Sequence, residues 1–447
     1  MSTGNKWILA LGASLALLSA VPSPCAHAGS SDTSQNASAM PDTPAGRAAA
    51  AFIAMWNDGS PEAVTKFEKT HASAKRLGAV PMEERPGRIA ELRDRWGAIK
   101  VTSVTGAGEQ TVTAIAMSAT GDRLELEFAM SPSEPGKLDA VMIGSDDGPR
   151  PAPISAEVRA DTVDGVAKAL EEGYVYPEVA SKMAAAIRQN LESGAYDGIT
   201  EDRAFARRLT DDLRAISNDR HLGVRPLPPG GMPRGDPRPQ MAAGRGNYGF
   251  RHVEILPDNV GYIRFDGFIE SEEAQKTAAA ALAFVAHTDA LIFDLRYNGG
   301  GSPEMIRFIT SYLFGKPTHL NDMVDREGNV VGEFWTNSEV PGERFADDLP
   351  VLVLTSSRTF SGAEEFSYNL KNLKRATIVG ETTGGGAHPV RFVQINDTFG
   401  MGVPHMRARN PISGTNWEGT GVEPDVKVPA AEALEKAKEL ARAAIKR

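Results

Sequence analysis

VLVLTSSRTFSGAEE, residues Val351–Glu365, changes character halfway along. The apolar run Val351–Leu354 has the length and composition of a buried strand, and Ala363, Phe366, Leu370 and Leu373 then recur at helical spacing. A strand that breaks into a helix over this short stretch leaves Ser361 on the helix's first turn. Two readings of that serine stay open on these residues alone. Serine at a helix start satisfies free backbone amides. The same position suits a nucleophile, because the amides and the helix dipole there favour negative charge.

Outward from this point, strand and helix signals alternate. Val260–Phe265 reads as strand, Glu272–Ala286 as helix, Ala290–Leu295 as strand and Pro303–Phe314 as helix. Ser361–Lys374 then reads as helix and Ala376–Val379 as strand. Such alternation predicts a mainly parallel sheet with covering helices, an architecture in which ligands gather beyond the carboxyl ends of strands. Ser361 lies beyond one such end, and Asn298-Gly299-Gly300-Gly301 beyond another. This α/β core spans residues 248–429 and is followed by a C-terminal helix over 430–447.

Upstream, residues 154–225 form a helical subdomain. Val179, Met183, Ile187 and Leu191 recur every four residues there, and Phe205, Leu209, Leu213 and Ile216 nearly so. Its last helix runs out at Asn218-Asp219-Arg220-His221, and the stretch 226–247 is a Pro/Gly-rich linker. Residues 44–146 read as an α+β domain, with helices Ala48–Trp56, Pro61–His71 and Glu83–Trp96 ahead of strands Ile99–Val104, Thr111–Met117 and Arg123–Met130. That order of elements, with no residue motif behind it, resembles the cone-like domains of the nuclear-transport-factor type.

The beginning of the chain reads as a targeting segment. Lys6, the apolar stretch Trp7–Val21 and the small residues of Ala26-His27-Ala28 describe a signal peptide over 1–28, and the polar residues 29–43 a flexible leader. The one cysteine of the chain, Cys25, falls inside the signal, so the mature protein carries no thiol nucleophile, thiolate metal site or disulfide. Periplasmic or secreted localisation follows. Formal charge is −10, and loss of Lys6 makes it −11, which argues against nucleic acid as a partner. No later apolar run is long enough to span a bilayer.

A serine hydroxyl is a weak nucleophile and needs a base, a group that orients the base, and amide donors for an oxyanion. In Asp294-Leu-Arg-Tyr-Asn-Gly-Gly-Gly301 a buried strand ends in bare backbone whose amides can point into a cleft, with Asp294 and Arg296 placed to brace it. A plain glycine turn is the other reading of those residues.

The motifs DLRYNGGG, TSSRTFSGAEEF, GETTGGGAH and NPISGTNWEGTGVEPDV, with YVYPEVA and the Asp-x-His of NDRHL, resemble peptidase family S41 over about 154–428. This family includes tail-specific and tricorn-core proteases and the repeats of interphotoreceptor retinoid-binding protein. The resemblance implies a ClpP/crotonase-like core, a serine-type peptidase acting on peptides or proteins without a cofactor, and Ser361 as nucleophile. It places the oxyanion hole at the amides of Gly362 and of Gly299, Gly300 and Gly301. The tail-specific branch takes a lysine base from the segment after Gly-Glu-Thr; here Gly380–Gly386 contains no lysine. The chain is therefore similar to the branch in which an upstream histidine serves, which points to His221, with Glu418 orienting it. His388 is a competing histidine, read as a substrate contact or loop anchor. The short stretch between His221 and Tyr248 has no room for a PDZ domain. Neither metal-ligand spacing nor a phosphate loop is present. Binding of an apolar ligand without catalysis is the alternative from another class, and a working role for the N-terminal domain a third.

Overall fold

The computed structural model describes residues 40–145, 153–227 and 246–446. The predicted signal peptide, most of the predicted leader and most of the predicted 226–247 linker lie outside the described residues. The chain divides into two compact units, residues 1–150 and 151–447.

In the first unit α1 (Pro44–Asp58), α2 (Pro61–His71), α3 (Ala74–Ala79) and α4 (Arg85–Trp96) precede β1 (Ile99–Ala107), β2 (Thr111–Ser118), β3 (Arg123–Met130) and β4 (Leu138–Ser145). The strands form one antiparallel meander in that order. Thr43 caps α1, accepting from the Gly46 amide at 3.1 Å, and Pro44 follows at a position that needs no N–H. Phe52, Trp56, Phe67, Trp96 and Phe128 build the core. Glu68 is fully buried between two fully buried arginines, 2.8 Å from Arg76 Nη2 and 2.7 Å from Arg85 Nη1. Strand β4 was not among the predicted strands. Its register shifts between Ala129 and Met130, so the buried Leu138, Val141 and Ile143 depart from a period of two.

The second unit begins with α5 (Ala156–Gly173), α6 (Pro177–Glu192), α7 (Asp202–Ser217) and β5 (Gly223–Pro226). The core follows as β6 (Phe250–Leu256), β7 (Val260–Phe265), α8 (Glu272–Phe284), β8 (Ala290–Asp294), α9 (Pro303–Thr310), β9 (His319–Val324) and β10 (Val330–Trp335). It continues with β11 (Val351–Thr355), α10 (Gly362–Asn372), β12 (Thr377–Gly380), β13 (Val390–Gln394), β14 (Phe399–Pro404), β15 (Arg407–Arg409), β16 (Val426–Lys427) and α11 (Ala433–Ile445).

Six strands pair in the order β16-β12-β11-β8-β7-β6, parallel except where β6 meets β7. Strands β7, β8 and β11 are buried along their whole length, which is why they read as apolar runs. Alternate residues serve the two faces. Ile263, Phe293 and Val353 pack under α8, α9 and α10, whereas Tyr262, Ile292 and Leu354 pack under α11. The predicted α/β core with its helical subdomain and N-terminal α+β part is the architecture observed.

Two smaller sheets, β10-β9-β15 and β13-β14-β5, complete the unit. The second joins the helical region to the core, because β5 pairs antiparallel with β14 from Gly223↔Gly402 to Pro226↔Phe399. Leu213 and Leu222 share a core with Phe399 and Met401 on the strand they meet.

Glu365 on α10 is 6 % exposed and faces Asn321 of β9, and burial pushes its carboxyl up to about 7. A carboxyl raised on folding contributes stability below its ordinary value of 4.5 and loses it as pH climbs through about 7. Glu365→Gln should therefore match wild type in urea unfolding near pH 4 and exceed it by about 3 kcal/mol at pH 8. Equal stability at pH 8 would contradict this.

Candidate active site

The turn between β11 and α10 is strapped to the end of β8. Thr359 Oγ1 donates to the Leu295 carbonyl at 2.8 Å, and the Phe360 amide donates to the Asn298 carbonyl at 3.1 Å. Ser361 follows with φ 54° and ψ −122°, a backbone conformation that L residues rarely hold. A carboxylate three residues further along, in the first turn of α10, supports it. Glu364 is fully buried; its Oε2 accepts from the Ser361 amide at 2.8 Å and the Gly386 amide at 2.9 Å. Its Oε1 accepts from the Gly385 amide at 2.6 Å and Thr383 Oγ1 at 2.5 Å. Ser361 thus occupies the helix-capping position, and its hydroxyl also faces an imidazole.

Gly300 has φ 102°, and a Cβ on it would lie 2.6 Å from the Gly362 nitrogen, so only glycine lets the β8 loop approach the serine turn this closely. Of the four amides expected to form an oxyanion hole, two have other acceptors. The Gly300 amide donates to Asn298 Oδ1 at 2.8 Å and the Gly299 amide to the Asp266 carbonyl at 3.4 Å. The Gly301 and Gly362 amides make no hydrogen bond among the described residues. Asp294 and Arg296 do brace this loop: Arg296 Nε and Nη2 donate to the two Asp294 oxygens at 2.9 and 2.6 Å, and Tyr262 donates to Oδ2 at 2.7 Å.

His221 arrives from the helical region. Asn218 ends α7 in the left-handed conformation, and Arg214 in the last turn donates to the carbonyls of Arg220 and Leu222, both at 2.8 Å, clamping the chain on either side of the histidine. The His221 amide donates to Asp219 Oδ1 at 3.0 Å. Its ring packs on Phe360 at 4.7 Å, and Nε2 lies 3.1 Å from Ser361 Oγ. Burial first, and then the neighbouring His388 and Arg214, pull its pKa down to about 4 against the charge of Asp219. At neutral pH the ring is uncharged, and Nε2 can take a proton.

Glu418 stands near this pair but is not hydrogen-bonded to it. A ring nitrogen of His221 and one oxygen each from Asp219 and Glu418 lie within 4.8 Å of one another. Glu418 Oε2 accepts from the Ala387 amide at 2.5 Å and sits 3.4 Å from His388 Nδ1, while His221 Nδ1 and Glu418 Oε1 have no hydrogen-bond partner among the described residues. Burial, reinforced by the charge of Asp219, raises Glu418 to about 7. His388 is 2 % exposed; its Nδ1 lies 2.7 Å from Asp219 Oδ2, so it anchors the loop and does not line the surface. Asp219, with no exposed area, also accepts from Tyr174 at 3.1 Å. Both Asp219 oxygens are thereby engaged in hydrogen bonds.

Sequence reasoning left Glu364, Asp219 and Arg214 without roles. The Ser361-x-x-Glu364 spacing is a capping-box signature and could have disclosed the first. The bonds of Asp219 to His388 and of Arg214 to its two carbonyls depend on tertiary placement. His252 and His405 lie apart from the cluster. The first is exposed on β6 and faces Glu254, and the second bonds through its amide to the Pro389 carbonyl.

Two family models match adjoining parts of the chain: peptidase family S41 over residues 259–428, and the N-terminal domain of Peptidase_S41 in eukaryotic IRBP over 156–244. The chain belongs to peptidase family S41. It is 32 % identical over 155 residues to the carboxyl-terminal-processing protease of Synechocystis, covering 34 % of each chain. It is 27 % identical over 181 residues to the chloroplastic C-terminal processing peptidase of Tetradesmus obliquus, covering 38 % of this chain and 35 % of that protein. The chain spans about a third of the length of these relatives. Among solved structures, the photosystem II D1 C-terminal processing protease overlaps 65 % of this chain and 97 % of its own, with TM-score 0.41 and 16 % identity.

Gly386 offers a direct check of the geometry. A Cβ there would lie 2.6 Å from His221 Cε1 and 2.3 Å from Phe360 Cζ. Gly386→Ala should displace the His221 ring and slow reaction of Ser361 with a fluorophosphonate by about 100-fold, while far-ultraviolet circular dichroism stays unchanged. An unchanged reaction rate would mean that the ring position does not matter to Ser361.

Proposed function

We propose that this protein is an exported serine endopeptidase of S41 type that cleaves peptide bonds through an acyl-enzyme on Ser361. The observation that carries the reading is the 3.1 Å approach of His221 Nε2 to Ser361 Oγ, two groups drawn from separate parts of the unit. Oγ attacks the scissile carbonyl as Nε2 takes its proton, and the carbonyl oxygen gains a negative charge that the free Gly301 and Gly362 amides can receive. The imidazolium then returns the proton to the leaving amine as the C–N bond breaks. Water, deprotonated by the same nitrogen, releases the acyl group and restores Ser361. Glu418, close to the imidazole and with one free oxygen, orients the ring through Nδ1–H and stabilises its positive charge.

No step in this sequence calls for a metal or cofactor. The substrate is a peptide or protein, consistent with the processing peptidases that the chain resembles. Export is supported by Lys6, the apolar Trp7–Val21 and Ala26-His27-Ala28, and points to the periplasm or the cell exterior. Among the described residues no helix is long and apolar enough to cross a membrane.

A fluorophosphonate should label the wild-type protein at Ser361, and Ser361→Ala should lose both labelling and peptide hydrolysis by at least about 1000-fold while remaining folded. Hydrolysis by Ser361→Ala at the wild-type rate would exclude this serine as nucleophile. A wild-type protein that binds an apolar ligand but never reacts would support non-catalytic binding instead.

A further inference from the structure

His388 stands between two carboxylates. Its Nδ1 is 2.7 Å from Asp219 Oδ2 and 3.4 Å from Glu418 Oε2, and one N–H cannot bond both fully. Asp219 holds the better claim. It lies closer, has no exposed area, and accepts from the His221 amide and the Tyr174 hydroxyl as well. Glu418 keeps the Ala387 amide, faces the Arg220 amide, and has no hydrogen-bond partner for Oε1 among the described residues. We infer that Asp219 is a positioning residue which, by taking the His388 N–H and standing beside Glu418 as a like charge, controls whether Glu418 is ionised when His221 needs an acceptor.

The charges around the pair are accounted for. From the α5–α6 junction come Tyr174, bonded to Asp219, and Tyr176, whose ring meets His388 edge-on at 5.5 Å with Arg407 above it at 5.3 Å. From α7 comes Arg214, held on two carbonyls, and from the chain after it His221. Burial alone would raise Asp219, but the His388 bond and the charges of His388 and His221 hold it below the ordinary carboxylate range. Glu418 moves the other way, raised by burial and by Asp219, with His388 opposing. Two acids sharing one site lose their protons as a pair, the better-solvated by hydrogen bonds first.

The two neighbours of Glu418 therefore act on it in opposite senses. Removing the charge of Asp219 should let Glu418 ionise at lower pH; removing the His388 imidazole, whose charge favours the ionised carboxylate, should delay ionisation. A merely structural role for either residue would reduce activity without this opposition of sign. The inference rests on the Ser361, His221 and Glu418 reading above, so its test includes a readout independent of turnover.

The experiment is a carbon-13 carboxyl titration of Glu418 in the full-length Ser361→Ala protein, assigned with Glu418→Gln, alongside the pH dependence of fluorophosphonate labelling in proteins that keep Ser361. The expected Glu418 midpoint is about 7. Asp219→Asn should lower it by about one unit or more, and His388→Gln should raise it, with the acid limb of labelling following each. If Asp219→Asn does not fold, the upward shift in His388→Gln carries the test. A midpoint that stays put, or moves in the same direction in both variants, overturns the inference. Opposed carboxyl shifts in a protein whose wild type never labels would uphold the coupling and defeat the peptidase reading.

Discussion

The backbone of Ser361 is the constraint from which the rest of the site follows. A non-glycine residue at φ 54° and ψ −122° is strained by about 1–3 kcal/mol and persists only where surrounding bonds over-determine it. Glu364 supplies those bonds. One carboxylate accepts from the serine's own amide, from two glycine amides of the 383–386 loop and from Thr383, so the turn and the loop are held as one piece. The Gly300 backbone then approaches from β8, and the same loop continues into Ala387 and His388, which reach Glu418 and Asp219.

His221 is held by an independent set of contacts. Pairing of β5 with β14, the Arg214 clamp and the packing on Phe360 fix the imidazole from three sides. Glycine at 386 is what leaves space for it. The ring is buried enough to remain neutral near pH 7, which suits a base, and it then requires a nearby negative charge once protonated. In the mechanism we propose, Glu418 meets that requirement, and Asp219 and His388 set its ionisation.

Long buried strands were legible in the sequence because burial on both faces leaves an apolar run. Val260–Phe265 and Val351–Leu354 are examples, and the order of strands and helices around them defined an α/β core. Strands β9, β10, β13 and β14 were not legible. They are short members of small sheets, and in β9, β10 and β14 Asn321, Asp322, Glu333 and a pair of glycines interrupt any pattern. Ser361 could be singled out from its strand-to-helix break and His221 through the resemblance to family S41, and the two meet. The full set of glycine amides could not be sorted from sequence, since bonds from Gly300 to Asn298 and from Gly299 to Asp266 depend on how the loop folds back. The buried link from Asp219 to His388 joins residues 169 positions apart, and no spacing rule reports it.

The claim on which the account turns is that His221 activates Ser361. Measuring the rate of fluorophosphonate labelling at pH 7.5 for wild type and His221→Ala, with folding checked by circular dichroism, tests it directly. The account predicts a fall of about 100- to 10,000-fold, the contribution of a positioned general base. Labelling of His221→Ala at the wild-type rate would contradict it.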